Sequence, residues 1–497
     1  MRGAATLAAN PSAIVHAQRF GTAGAWVAVG LCLLSTVAAG ARWLRVAQRE
    51  HYLPGSVVRF AGRWWLGSPA DGAIGAVAIA AAVLAWWWPV VAVVSAAAVT
   101  LAPLGLGVRG RSAPLRWTRR LRTLAVIWVV LTGALVVVGW LIGVAPVVAA
   151  SAAVLTPLLV DTAAALVAPV ERRLADRYVQ LAAARLARVR PTVVAITGSF
   201  GKTSTKNHVA QLVGSSRLLV ASPASFNNRA GLARAVNENL ADGTEVFVAE
   251  MGTYGVGEIA ELCRWCPPDI AVITAVGPVH LERFGSEEQI LEAKSEILRS
   301  AGVAVLPVDD GRLAALADRT AAQGVRVVRC STGVRAADVC VERTGTRPLP
   351  CVSVYVSGEP LAKDVAMPTG VQPSNLACAV AVALELGLDA RTIIERLPAV
   401  HVADHRLSVA RAPSGVMVVD DTYNANPTGT EVALDTLVAS VDGVTGGEAG
   451  GPAPGPGEES APRLAVVTPG LVELGGRQFE ENRRFGAAVA ERATDLL

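Results

Sequence analysis

The sequence predicts an α-helical transmembrane bundle followed by α/β domains. The first α/β unit reads as a phosphate-loop domain, and the second as a partial Rossmann-like C-terminal domain. Three observations carry this reading. Long apolar stretches fill the chain up to about residue 169. From Val193 onward, short β-branched runs alternate with Ala/Leu-rich helical stretches. Between the first such run and its helix stands the glycine turn G-S-F-G-K-T-S.

Composition agrees with a membrane part. The chain of 497 residues is 52% hydrophobic, above the usual share for a soluble protein. Its net charge of +4 is small and gives no case for nucleic acid. The seven cysteines are scattered and imply no disulfide framework. Cys263 and Cys266 form a CxxC with no second copy, which does not suffice for a zinc ribbon. Only four lysines occur, Lys202, Lys206, Lys294 and Lys363, in a chain whose positive charge is otherwise arginine. A lysine here points to chemistry that arginine cannot perform.

Apolar stretches lie at about 23–41, 72–107, 123–142 and 144–169. The second is too long for one crossing, since ~20 residues span the hydrocarbon core. Trp86-Trp87-Trp88-Pro89 marks its middle with an aromatic belt and a helix breaker, so two short spans are expected there. Arginine-rich segments at 42–71, 109–122 and 171–190 are expected on the cytoplasmic side. The expectation is five helices over 1–170, an outside N-terminus, a basic cytoplasmic linker at 171–190, and a multi-pass protein of the cell membrane. The alternative for the first stretch is a signal peptide cut near Ala39-Gly40-Ala41. Asp161 is a carboxylate inside a span, either functional or near the interface.

In the α/β region, strands are expected at Val193–Thr197, Glu245–Ala249, Ile270–Ala275 and Val303–Pro307. Their continuous apolar character suits a buried parallel sheet. A strand-poor break and a helix at Ser374–Leu388 follow. These belong to a central domain at 191–402. A second unit at 403–497 begins with a strand near Val416–Asp420, and continues with a disordered loop at Asp442–Pro462, a strand at Arg463–Thr468 and a helix at Asn482–Ala493.

The glycine turn would present the backbone N–H groups of Gly198 to Thr203 to an anion at a helix N-terminus. Lys202 would meet the β- and γ-phosphates, and Thr203 a magnesium ion. Glu250 and His280 stand at expected strand ends, as a magnesium-dependent phosphoryl site requires.

Taken together, "GKTSTK", "FNNRAG", "EMG" and "DDTYNANP" resemble the Mur ligase family, ATP-dependent amide-forming enzymes of peptidoglycan synthesis. The order and the last motif resemble the branch that adds D-alanyl-D-alanine to the UDP-muramoyl tripeptide, the MurF type. The resemblance implies that Gly198, Ser199, Gly201, Lys202, Thr203 and Ser204 hold ATP phosphates. It implies two Mg²⁺, with Thr203, Glu250 and His280 as ligands, and Lys294 as a carbamate reaching toward the second ion. Asn375, Arg406 and Asp421 would hold adenine, phosphate and ribose. Asn227, Asn228, Tyr423, Asn424 and Asn426 would line the substrate site. Lys202, Lys294, His280 and Glu250 would carry catalysis. The partners implied are a cell-wall precursor and an amino acid or dipeptide.

The sequence departs from the family in three ways. Gln372 and Pro373 stand where a histidine heads the family helix. Apolar stretches replace the family's soluble N-terminal domain. The last domain has few strands, so the chain is expected either to be a fragment or to need a partner that supplies the rest. Alternative functions are a Mur-like ligase for another cell-envelope or polyglutamate-type substrate, and a membrane transporter or signalling ATPase.

Overall fold

A computed structural model describes residues 23–106, 115–223, 226–345, 350–368, 370–402, 406–422, 426–446, 463–493 and 495–497. The chain divides into two compact units, Met1–Ala175 and Asp176–Leu497.

The first unit is helical. Among the described residues, two helices are long and apolar enough to cross a membrane, Ala23–Arg49 and Arg119–Leu141. Two bent pairs pass only if each is one broken span: Ser56–Gly67 with Pro69–Leu84, and Ala145–Val154 with Thr156–Val189. The five-span expectation is therefore not met by length and composition.

Two local causes explain the difference. The Trp86–Trp88 turn does break the second stretch, but the helix beyond it ends at Leu101. Thirteen residues from Pro89 reach about 20 Å, short of a ~30 Å core. The stretch 144–169, expected as one helix, bends by 77° between Val154 and Thr156. Pro157 follows the bend and lacks the N–H that would continue the first helix. The Thr156 hydroxyl donates instead to the carbonyls of Ala152 and Ala153, at 3.1 and 2.8 Å. Of residues 171–190, read as linker, all but the last belong to the 34-residue helix Thr156–Val189.

Asp161 has a structural use. Its carboxylate accepts from the N–H groups of Val57 and Val58, at 3.3 and 2.8 Å. These are orphan donors at the start of the helix Ser56–Gly67, whose preceding Gly55 supplies no side-chain cap.

The second unit is built on one nine-stranded sheet. Its strands are β1 (Thr192–Thr197), β2 (Leu219–Ala221), β3 (Val246–Glu250), β4 (Ile270–Ile273), β5 (Val303–Pro307), β6 (Arg326–Ser331), β7 (Val339–Gly345), β8 (Cys351–Val356) and β9 (Glu359–Ala366). Their spatial order is β2-β3-β1-β4-β5-β6-β7-β8-β9. Pairing is parallel through β7 and antiparallel from β7 to β9. The stretch read as strand-poor thus holds four strands. Apolar layers cover both faces. One packs the helices Lys202–Val213 and Pro373–Glu385 against the sheet. The other packs Arg229–Asn239, Glu258–Trp265 and Gly311–Ala322.

The C-terminal region differs from the expected parallel unit. The strand Met417–Asp420 pairs antiparallel with Ser408–Arg411. A tight turn joins them, with Ala412 N–H donating to the Val416 carbonyl at 2.8 Å. So short a connection permits only antiparallel pairing. Ala465–Val466 and Asp495–Leu496 form a separate parallel pair, flanking the helix Gln478–Arg492. Most of the expected loop 442–462 lies outside the described residues, which take in only the end of the helix Pro427–Gly446.

Candidate functional site

The sheet changes winding direction at β1. The chain leaves β1 for β2 and β3 on one side and returns to β4 on the other. Ligands of open α/β sheets bind outside the carboxyl ends of the strands at such a point. The ends of β1, β3 and β4 carry Gly198, Glu250 and Thr274.

The loop Gly198–Gly201 is shaped by glycine. Gly198 has φ 153° and Gly201 φ 79°, conformations that side chains resist. A Cβ on Gly198 would overlap the Thr274 hydroxyl, and one on Gly201 the Asn375 amide. Ser199 straps the loop down: its N–H donates to the Ala275 carbonyl at 2.8 Å, and its Oγ meets Gly277 O and N at 3.0 Å. Thr274 Oγ1 donates to the carbonyl of Phe200. The helix Lys202–Val213 starts at Gly201 without a side-chain cap. Its first-turn N–H groups thus keep their affinity for an anion.

Lys202 Nζ lies 2.7 Å from the Gly198 carbonyl, folded over the loop. Burial lowers its pKa and the Arg406 charge adds to this, while Glu250 opposes. Glu250 is buried at the end of β3. Its Oε2 accepts from Thr203 Oγ1 at 2.9 Å and Lys206 Nζ at 3.0 Å, and its Oε1 from Asn227 at 3.3 Å. Burial pushes its pKa up, but Lys206, Lys202 and these hydrogen bonds outweigh burial and hold it below the usual value. Arg406 donates to Thr203 Oγ1 at 3.2 Å.

Two cavities flank the loop. The larger, about 490 Å³, takes in Gly201, Ser204, Asn375, Arg406, Asp421 and Asn426. Burial raises the Asp421 carboxyl to about 6, although it accepts from Leu407 N–H at 3.1 Å. The smaller, about 60 Å³, takes in Gly198, Ser199, Lys202, Asn227, Asn228, His280 and Lys294. Lys294 is buried there. Burial holds its pKa well below the lysine range, and the Lys202 charge adds to this.

Some expected residues have local roles. Asn228 caps the helix Arg229–Asn239 by accepting from Gly231 N–H at 2.9 Å. Asn426 accepts from Gly429 N–H at 2.9 Å. Tyr423 and Asn424 lie outside the described residues. His280 shares the small cavity, but its Nδ1 is engaged by Glu473.

The donors present fit only part of the expected metal set. Thr203 Oγ1 and Glu250 converge and suit one magnesium, an ion held by one or two protein oxygens plus substrate phosphates. Among the described residues, no group of three or more His, Cys, Asp or Glu side chains could hold a metal. Among these described residues, a second ion has no comparable set. Sequence reasoning missed Lys206 and Thr274. The scarcity of lysine pointed equally to Lys206, while a lone threonine gives no signal.

A glycine loop on a parallel sheet, with Lys202, Thr203 and Glu250 at the switch point, defines a nucleotide-binding domain of the phosphate-loop class. Residues 196–383 match the family model described as Mur ligase middle domain. The chain is similar to the MurF ligases. It is 36% identical over 255 residues to the UDP-N-acetylmuramoyl-tripeptide–D-alanyl-D-alanine ligase of Mycobacterium tuberculosis, covering 50% of this chain and 48% of the relative. The Mycobacterium leprae ligase of the same name is 35% identical over 313 residues, covering 59% and 58%. The crystal structure of MurF from Thermotoga maritima in complex with ADP is similar with TM-score 0.54 and 27% identity, covering 65% of this chain and 70% of that one. The chain thus spans about half the length of the mycobacterial relatives it matches.

Proposed function

We propose that the protein is an ATP-dependent ligase that joins a carboxylate to an amine in peptidoglycan precursor synthesis, of the D-alanyl-D-alanine-adding type, held at a membrane by its N-terminal helices. The observation that carries this reading is the arrangement around Glu250. Thr203 and Lys206 meet on one carboxylate oxygen at the end of β3, beside the loop that Lys202 covers.

Gly198 to Ser204 cradle the ATP phosphates, and Lys202 neutralises charge on the β- and γ-phosphates. Asn375, Arg406 and Asp421 line the larger cavity and take the adenosine end. The substrate carboxylate enters from the small cavity, near Asn227, Asn228, His280 and Lys294. It attacks the γ-phosphorus and ADP leaves, giving an acyl phosphate. The amine then attacks the carbonyl, phosphate leaves, and the amide forms. Thr203 and Glu250 would hold magnesium, whose charge stabilises the phosphate oxygens. A neutral Lys294 amine is the form that adds CO₂, and the resulting carbamate supplies a carboxylate in the small cavity. The protein's part is positioning and charge neutralisation.

The helices Ala23–Arg49 and Arg119–Leu141 support the membrane tether. The arginine-rich segments support a cytoplasmic site, which ATP supply also requires.

Incubation of the chain with ATP, Mg²⁺, UDP-muramoyl tripeptide and D-alanyl-D-alanine tests the reading. Mass spectrometry should detect the UDP-muramoyl pentapeptide. Turnover only with another acid and amine would keep the ligase class and reject this substrate pair.

A further inference from the structure

We infer that an apolar cavity in the helical unit holds one acyl chain of an anionic glycerophospholipid, whose headgroup rests on Arg59 and Arg63. The inference rests on the reading of this unit as membrane-embedded.

The cavity lies where the two bent helix pairs meet and has a volume of about 450 Å³, within the usual range for a ligand site. The helix Ser56–Gly67 contributes Val58, Gly62 and Trp65, the helix Pro69–Leu84 contributes Ile79 and Val83, and Leu158 lies beyond the second bend. Among the described residues that line it, only Ser151 and Trp65 carry a polar side-chain atom. An ordered water needs two to four polar partners, so the cavity suits hydrocarbon and not water. Val58, Ile79, Val83 and Leu158 are nonetheless 40–56% exposed. The cavity therefore opens onto an apolar surface, which in a bilayer meets acyl chains.

The sequence explains its shape. Val58, Ala61, Gly62 and Trp65 stand at i, i+3, i+4 and i+7 and share one helix face. Gly62 gives that face depth, since a Cβ there would meet nothing within 4 Å. The Trp65 ring packs edge-on against buried Trp43, with centroids 6.4 Å apart, so this wall is formed in advance.

Charge favours an anionic lipid. Arg59 and Arg63 each follow a cavity residue by one position, so they form the adjoining stripe of the helix, and both are exposed. The nearby Asp161 carboxylate is buried and already accepts from the N–H groups of Val57 and Val58. The helix Ser56–Gly67 is bent by 114° from the helix Pro69–Leu84 and so runs across it. A short helix with arginines on one stripe and apolar and aromatic residues on another lies in the membrane interface. There the arginines meet a phosphate headgroup, and a chain on the same glycerol reaches the cavity.

The test uses the full chain in phosphatidylcholine vesicles doped with phosphatidylglycerol carrying a diazirine on one acyl chain, or with phosphatidylcholine labelled in the same way. After irradiation, mass spectrometry should place the label mainly on residues 58–65, 79–83 and 151–158. Excess unlabelled phosphatidylglycerol should compete this label away better than excess phosphatidylcholine. Gly62→Phe, which fills the cavity, should lose most of the label. Arg59→Gln with Arg63→Gln should lower the preference for phosphatidylglycerol by about 5-fold per arginine. Label spread evenly over the exposed apolar helices, or kept in Gly62→Phe, would overturn the site. An unchanged lipid preference in the double arginine variant would overturn the anionic headgroup. Flotation of the vesicles separates the two readings. A chain that does not float with them rejects the membrane tether and the inference with it, whereas one that floats but labels evenly rejects the site alone.

Discussion

Lys206 Nζ and Glu250 Oε2 form an ion pair 3.0 Å apart, with both side chains only 2% exposed. The pair joins the helix of the phosphate loop to the end of β3. Neither charge can be left there alone. Lys206→Met should therefore destabilise the protein by about 3–5 kcal/mol, measured by denaturant unfolding. Lys206→Met combined with Glu250→Leu should recover most of that loss, because an apolar pair of similar size is tolerated. A single variant as stable as the parent would show that the pair is not held in a dry environment.

Gly201 sets the start of the same helix. Its φ of 79° and the Asn375 amide beside it leave no room for a side chain. Gly201→Ala should cost about 1–3 kcal/mol through strain and abolish ADP binding in calorimetry. Pairing it with Asn375→Ala should relieve the overlap but not the strained φ. Parent-like ADP affinity in Gly201→Ala would contradict the assigned loop.

Lys294 is buried in the small cavity and its pKa lies well below the lysine range. If it works as a carbamate, Lys294→Ala should be nearly inactive, and short carboxylates should restore part of the rate. Lys294→Arg working as well as the parent would mean that positive charge suffices.

His208 faces the interior from the phosphate-loop helix and is 1% exposed. Burial lowers its pKa to about 4, with His401 adding and Gln211 opposing. The native state therefore excludes a proton that the unfolded chain takes up below about 6.5. Stability contributed by the neutral ring is fully present above 6.5 and falls as pH drops from there to about 4. The loss at the lower end is about 3 kcal/mol from this group. Denaturant unfolding from pH 7.5 to 4.5 should show it, and His208→Leu should remove that part of the slope. An unchanged slope would refute the buried neutral histidine.

Much of the central domain could be read in the chain because buried parallel strands are continuous apolar runs. Val193–Thr197, Ile270–Ala275 and Val303–Pro307 were legible for that reason, and Lys202 and Lys294 stood out by scarcity. β7 to β9 were not, although they pair as successive antiparallel neighbours, because charged residues such as Glu342, Arg343, Lys363 and Asp364 break their apolar runs. The antiparallel turn at Ala412–Val416 was missed because a two-strand unit was read as part of a parallel sheet. In the helical unit, hydropathy located the apolar stretches but not the bend at Leu155, which a single proline decides. Lys206 was overlooked because its role appears only once helix and strand are packed.

The most direct measurement is phosphate release from ATP by the purified full chain, with carboxylate and amine substrates added separately and together. The account predicts release that requires both substrates and falls by ~100-fold or more in Lys202→Arg, where the charge is kept but the compact site is not matched. Release that ignores the amine, or near-normal turnover in Lys202→Arg, would contradict it.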